Sequence, residues 1–496
     1  MMWTCAAPAA PALRSQSMPT PSPLHPAAES FPSHGRWIAF LVAAAFFMEN
    51  LDATVITTAV PAMAQSFGVA PVALSTGISA YLLALAVFIP VSGWVADRLG
   101  PRQVFATAIL IFTLASVACG LSQSLPMFVA ARIAQGVGGA LMVPVGRLIV
   151  LRSTPKSELV KAIATITWPG LAAPVLGPPL GGWIASTWSW HWIFFLNVPL
   201  GACAIFFALR WIDGAPGGRR PFDWPGFVAS GVGLAALMYG LDLMSHSPID
   251  WAMAGALAVI GSCALGYALW HMRRAAHPLV NLSVFGVRTF RTSVAGGSLF
   301  RIAIGSAPFL LPLMFQLAFG FSMVASGFLM LALFAGNLGI KPATSFVLRR
   351  FGFRGTLLGN GVLVALGFAA CAALSPDTPL WVMIVVMVAS GVCRSMQFTG
   401  FNTLVFCDIT PTQTSGATTL FSMCQQLSAG IGIAFGAIAL RLAEQFTGHA
   451  GTPGVADFRI AFGLVTVLAL VALFDAFALP HDAGARVSGH RSSAPA

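Results

Sequence analysis

Fourteen apolar runs, most of them about twenty residues long and separated by short loops, recur between residues 36 and 479. They fall at 36–63, 72–95, 104–122, 126–150, 160–185, 191–212, 225–244, 251–271, 294–318, 322–344, 355–374, 379–404, 415–440 and 458–479. A run of that length crosses the hydrocarbon core of a bilayer as an α-helix. Lipid offers no partner to a backbone N–H or C=O, so such segments must satisfy their own backbone as helices. Only 8% of the residues are charged and 57% are hydrophobic, whereas a soluble domain carries roughly 25% charged residues. The expectation is an all-α polytopic membrane protein.

The loops set its orientation. Those after even-numbered runs hold Arg98 and Arg102; Arg152, Lys156 and Lys161; Arg219 and Arg220; Arg273, Arg274, Arg288 and Arg291; and Arg349, Arg350 and Arg354. The other loops are nearly free of Lys and Arg, with Arg441 the exception. By the positive-inside rule both termini lie in the cytoplasm of a protein of the cell's inner (plasma) membrane. The net charge of +11 is spread through these loops rather than gathered in one patch, so no nucleic-acid partner is indicated. Residues 1–35, rich in Pro, Ser and Ala, lack the apolar core of a signal peptide and are expected to be a disordered tail, within which Met18 offers a second start. Residues 480–496 form another polar tail. The eight Cys are scattered without a CxxC or His–Cys cluster, so neither a metal site nor a disulfide framework is indicated, and no cofactor motif is present.

An internal echo divides the chain further. Gly93 to Arg102, after the second run, and Ser345 to Arg354, after the tenth, share the frame Arg-x-Gly-x-Arg, with Arg349 standing where Asp97 stood. If these loops correspond, runs 1–6 match runs 9–14 and runs 7 and 8 are inserted. The expected layout is a six-helix bundle at 36–212, a loop at 213–224, two extra helices at 225–271, a loop at 272–293 and a second six-helix bundle at 294–479.

The fifth run reads Gly170-Leu-Ala-Ala-Pro174-Val-Leu-Gly177-Pro178-Pro179-Leu-Gly181-Gly182. Its prolines would break a soluble helix. In lipid they are tolerated where neighbouring helices satisfy the freed carbonyls. Gly177 and Gly181 make a small-xxx-small pair for close helix packing. This spelling resembles the antiporter motif of the fifth helix in the major facilitator superfamily. Gly93, Asp97, Arg98, Gly100 and Arg102 resemble that family's signature loop, which implies a conformational latch between helices. Leu51, Asp52, Thr54, Ala59 and Pro61 resemble the first-helix motif of its drug:proton antiporters with fourteen spans, with Thr57 departing from the usual Asn. Phe128, Arg132, Gln135, Gly136, Gly138 and Gly139 resemble the fourth-helix motif, whose Arg is implicated in proton coupling. Trp190, Phe194, Asn197, Pro199 and Gly201 resemble the sixth-helix motif, and His277 to Arg291 the loop before the ninth span. The resemblance implies two six-helix bundles plus two extra linker helices, and a bacterial multidrug-resistance transporter.

Charges inside apolar runs point to function without any family, since each costs about 2.5–3.5 kcal/mol at the bilayer centre on insertion scales. Glu49 and Asp52 lie three apart, on one helical face. They are the candidate proton-coupling acids, with Arg132 tuning their hold on the proton. Arg301, Lys341 and Arg394 are candidates for the substrate cavity, which suits an anionic or zwitterionic solute as well as a lipophilic cation. Phe309, Met314, Phe315, Phe328, Met330 and Phe334 are candidate pocket walls, while Asp242 and Asp475 read as helix-end acids. No HExxH, GxSxG or Walker-type sequence is present, so an embedded enzyme or an ATP-driven pump is not indicated. The expected protein is a monomeric, proton-coupled exporter of drugs or other small amphiphiles, with an organic-anion exporter or proton symporter as the alternative. Asp52→Asn is then expected to abolish coupling and spare folding.

Overall fold

Each of the fourteen runs is helical in the computed structural model, which describes residues 33–69, 71–214, 221–245, 250–448 and 453–490. The helices are α1 (Ser33–Phe67), α2 (Ser75–Phe88), α3 (Val91–Leu99), α4 (Pro101–Gly120), α5 (Leu125–Ser153), α6 (Leu159–Thr187), α7 (His191–Phe195) and α8 (Asn197–Trp211). There follow α9 (Trp224–Ser245), α10 (Trp251–Arg274), α11 (Arg288–Leu313), α12 (Met323–Gly339), α13 (Lys341–Ala373), α14 (Leu380–Leu404), α15 (Thr414–Thr447) and α16 (Val455–Val471). Among the described residues eleven helical segments are long and apolar enough to cross a membrane, or twelve if α2 and α3 count as one span. Those two meet at a bend of 59°, where Pro90 lacks the N–H that would continue the ladder. Of the remaining two runs, α6 has 29 residues, ample for a span, and α12 is a shorter helix of 17 residues. The chain is a multi-pass membrane protein. Most of residues 1–35, Arg219, Arg220 and the last six residues of the C-terminal tail lie outside the described residues.

The helices pack in two matching sets. In the first, α1 lies against α6, α5 and α8, α4 against α5 and α8, and α2 against α5. In the second, α11 lies against α15, α14 and α16, α13 against α14 and α16, and α12 against α14. The Arg-x-Gly-x-Arg echo has a structural counterpart at the same positions. Gly100 (φ 86°), between α3 and α4, and Gly352 (φ 67°), at the kink inside α13, both take left-handed backbone conformations that a Cβ would strain. The two helices between these sets, α9 and α10, pair with each other, and α9 also touches α2 of the first set and α15 of the second. Ser79 on α2 donates to Asp242 on α9 at 3.1 Å.

The α9–α10 pair is fastened at the end that carries the arginine loops. Asp223, just before α9, accepts from the backbone N–H groups of Gly226 (2.9 Å) and Leu279 (3.0 Å) and lies 2.8 Å from His271 Nε2 on α10. Burial works against its charge, but these hydrogen bonds and the His271 partner more than offset it, holding the carboxyl below its ordinary range.

Several hydrogen bonds join the two sets toward the same end. Ser92 and Thr419 hydroxyls meet at 3.2 Å, Ser415 Oγ donates to the carbonyl of Gly93 at 3.1 Å, and Lys156 Nζ donates to the carbonyl of Cys407 at 2.9 Å. A central cavity of about 420 Å³ lies deeper, between α1, α2, α5 and α6 on one side and α11, α14 and α15 on the other.

Candidate functional site: an ion network beside a central cavity

Glu49, Asp52 and Arg132 come together, but they do different things. Asp52 is locked. Its Oδ2 accepts from Arg132 Nη1 at 2.6 Å, and its Oδ1 accepts from Gln135 Nε2 at 2.9 Å and Asn197 Nδ2 at 3.0 Å. Gln135 Oε1 takes a second bond from the same guanidinium nitrogen at 2.6 Å, and Asn197 also donates to Ser116 Oγ at 2.8 Å. The side chains of Asp52 and Arg132 are each 1% exposed. The pair therefore forms a closed polar cluster within the first helix set, away from the cavity wall. Charges taken so far out of water persist only when paired; Nη1 carries both of the Arg132 hydrogen bonds, while its Nε and Nη2 are buried without partners.

Glu49, one turn earlier on α1, lines the cavity. Its Oε1 receives the Tyr81 hydroxyl at 3.4 Å, while Oε2 is buried with no hydrogen-bond partner. The Tyr81 ring carries the Arg132 guanidinium on its face, 4.4 Å from the centroid. A chain of contacts thus runs from the cavity through Glu49 and Tyr81 to the Arg132–Asp52 pair.

Two buried arginines also line the cavity, one on each side. Arg301 on α11 donates to Asn402 Oδ1 at 2.8 Å, and its Nε and Nη1 are buried without hydrogen-bond partners. Arg147 on α5 donates to Ser422 Oγ at 3.2 Å and Gln425 Oε1 at 2.9 Å. Both guanidinium groups stack on Phe421, at 4.8 Å for Arg147 and 4.7 Å for Arg301. Neither forms an ion pair among the described residues.

Of the three cations expected in the cavity, Arg301 alone lines it. Lys341 lies between the helix sets, bonded to Thr167 Oγ1 at 3.3 Å and Thr399 Oγ1 at 2.8 Å. Arg394 faces a separate pocket of about 160 Å³ with Met330 and Phe334, and its guanidinium stacks on Phe368 at 4.5 Å. The reason is the internal repeat: Arg394-x-x-Gln397 on α14 copies the spacing of Arg132-x-x-Gln135 on α5, so both arginines point into their own set. Phe328, expected as a pocket wall, is 67% exposed on the outer surface. Asp475 lies beyond α16, in a short helix at Phe474–Phe477. Sequence reading missed Arg147, because a charge three residues from the end of an apolar run is absorbed into the adjoining basic loop. Gln135 and Asn197 were visible only as motif letters, and Tyr81 and Ser116 carried no signal.

Two further motifs have clear packing roles. On α6, Gly177 and Gly181 lie directly against α1. A methyl at Gly177 would overlap Thr54 Oγ1, and one at Gly181 would come within 2.6 Å of Thr58 Oγ1 and 2.7 Å of the Val55 carbonyl. Thr54 Oγ1 donates across to the carbonyl of Ala173 at 3.3 Å. Gly170 approaches Asn50, whereas Gly182 has open space beside it. The helix runs on through the proline positions, and the side chains of Pro174 and Pro178 lie outside those described. In the signature loop, Gly93 sits beneath α15, where a methyl would lie 2.6 Å from Thr419 Oγ1. Asp97 pairs with Arg152 at 3.2 Å, Arg98 stacks on Trp94, and Arg102 lies beside Gly214.

Fold and site together define a helical membrane protein of two matched helix sets around a central cavity whose largely apolar wall carries Glu49, Arg147 and Arg301. The chain belongs to the major facilitator superfamily: the family profile of that description matches residues 42–433. It is 38% identical over 409 residues to a "Putative multidrug resistance protein MdtD" of Cronobacter sakazakii, covering 82% of this chain and 87% of that protein. A protein of the same description from Klebsiella pneumoniae is 38% identical over 418 residues, covering 84% and 88%. Among solved structures, the fold is similar to the human organic anion transporter MFSD10 (TM-score 0.63, 15% identity, 89% of this chain and 99% of that one). It is likewise similar to the proton:xylose symporter XylE (TM-score 0.62, 15% identity, 92% and 98%). At that identity these structural likenesses speak to the fold alone.

Proposed function

We propose that this protein is a proton-coupled exporter of small amphiphilic molecules, acting by alternating access in the inner (plasma) membrane with both termini in the cytoplasm. The observation that carries the reading is Glu49: a buried carboxyl on the cavity wall, wired through Tyr81 to the Arg132–Asp52 ion pair. In this reading Glu49 takes and releases the coupling proton, while Asp52 and Arg132 hold a fixed field beside it. The helix sets at 36–212 and 294–479 rock about the cavity, and the inserted pair at 225–271 bridges them along α2 and α15. The bonds of Ser92, Gly93 and Lys156 tie the two sets together at the end this reading places in the cytoplasm. The protein works as a monomer and is not an enzyme. Relatives described as multidrug resistance proteins support drugs as cargo, and the α1–α6 packing at Gly177 and Gly181 resembles the antiporter form of the motif.

The driving force suffices. One proton crossing 100 mV gains about 2.3 kcal/mol, and a tenfold gradient costs about 1.4 kcal/mol. One proton then sustains roughly a fortyfold gradient of a neutral solute. The test uses purified protein in liposomes with an imposed pH gradient and an internal pH dye, challenged with lipophilic cations, zwitterions and organic anions. Substrate-triggered proton efflux from acid-loaded vesicles, lost in Glu49→Gln, is expected. Protons that move only together with an entering anion would replace export by symport, and no proton movement at all would overturn the proton-coupled reading.

A further inference from the structure

The cavity carries charges of both signs. Glu49 lies on the α1 wall, and Arg147 and Arg301 lie on the walls built by α5 and α11. The two arginines are 6% and 5% exposed, share the Phe421 ring, and have no ion-pair partner among the described residues. Two buried guanidinium groups beside one ring repel each other and have given up hydration, a costly arrangement unless an anion arrives to share them. Arg301 Nε and Nη1, both buried and unpartnered, are two free donors on different edges of the guanidinium, whose Nη2 is held by Asn402, and each can donate to an anionic oxygen. Phe421, Phe398 and Phe46 add aromatic surface around them. Glu49 Oε2, buried and unpartnered on α1, offers an acceptor for an ammonium group.

We propose that the substrate is a zwitterion: an aromatic or otherwise apolar body carrying a carboxylate that docks on Arg147 and Arg301 and a protonated amine that docks on Glu49. This rests on the proton-coupled export reading and supplies its coupling step. An ammonium group and a proton compete for the same Glu49 oxygen. Binding the amine therefore releases one proton, and reprotonation of Glu49 expels the amine, with the charge count balanced in each exchange. A purely anionic substrate does the reverse. Its charge beside Glu49 favours the protonated acid, so proton and anion would travel together. A purely cationic substrate competes correctly but leaves both arginines unpaired and adds a third positive charge near them.

The decisive experiment uses three matched fluorescent probes on a naphthalene ring. One bears a carboxylate and an aminomethyl group, one replaces the aminomethyl by methyl, and one replaces the carboxylate by methyl. Binding to the full chain in lipid nanodiscs is read by fluorescence anisotropy, and proton release by a pH dye in weak buffer. The zwitterion should bind most tightly and release a proton. Arg301→Gln and Arg147→Gln should each weaken the zwitterion and the anion by roughly tenfold or more and leave the cation unweakened. Glu49→Gln should weaken the zwitterion and abolish proton release while sparing the anion. Proton release by the unaltered protein keeps the test decisive if an arginine variant fails to fold. Preference for the cation with Arg301→Gln unchanged, tight anion binding with proton uptake, or no binding of any probe would each overturn the proposal. Transport of cations alone would overturn it and leave proton-coupled export standing. Arg301-dependent zwitterion binding without any proton movement in liposomes would instead remove export and leave the substrate class.

Discussion

Asp52→Asn should damage the fold, and the size of the effect follows from its three partners. All three atoms facing the carboxylate are donors: Arg132 Nη1, Gln135 Nε2 and Asn197 Nδ2. An amide turns its NH2 toward at least one of them, and it leaves Arg132, at 0% exposure, without its counter-ion. Removing one partner of a buried ion pair costs about 3–5 kcal/mol. Against a total stability of about 5–15 kcal/mol that is a large share, and the melting temperature should fall by roughly 5 °C. Thermal unfolding of the purified protein in detergent, followed by intrinsic tryptophan fluorescence, reads it directly. Glu49→Gln is the control, because Gln Oε1 still accepts from Tyr81; its stability should stay within about 0.5 kcal/mol of wild type while proton-driven transport disappears. Pairing Asp52→Asn with Arg132→Gln should recover much of the loss, since neutral replacement of both members removes the stranded charge. An Asp52→Asn protein that melts with wild type would refute the view of this cluster as a fixed structural charge pair, and proton transfer would then return to Asp52.

Gly177→Ala should cost about 1–3 kcal/mol through overpacking against Thr54 and lower transport, whereas Gly182→Ala, with open space beside it, should be silent in both melting and transport. Gly93→Ala should wedge α3 from α15 at Thr419 and widen the loop end, seen as longer spin-label distances between the helix sets at that end; unchanged distances would disprove the close contact as a latch. Asp223→Ala should lower stability by about 1–3 kcal/mol by orphaning two backbone donors and speed hydrogen exchange in α9 and α10. Because the Asp223 carboxyl is held low, its contribution is fully present above the unfolded value near pH 4 and is lost as pH falls through the lower folded value. The difference between Asp223→Ala and wild type should therefore hold steady from pH 7 to about 4 and close below that.

Much of this molecule was legible in its sequence because lipid makes local rules binding. A run of twenty apolar residues has one backbone solution in a bilayer, so all fourteen runs are helical, and the Arg-x-Gly-x-Arg echo marked two left-handed glycines, Gly100 and Gly352, through which the same packing scheme repeats. Glu49 and Asp52 were rightly placed on one face, since helical spacing fixes that. Their division of labour was not legible. Residues three apart on one helix share a face, but only the packing of α5 and α8 surrounds Asp52 with Arg132, Gln135 and Asn197 while leaving Glu49 at the cavity. Arg301, Lys341 and Arg394 look alike in sequence and end in three environments, because the repeat turns Arg394 inward within its own set and Lys341 is held between sets by two threonines. Arg147 came to light only through the fold, which carries it to the same phenylalanine as Arg301 from 154 residues away. Helix existence and span depend on the residue and its solvent, which sequence alone specifies; the meeting of charges across helices depends on how those helices cross, which only the tertiary structure decides.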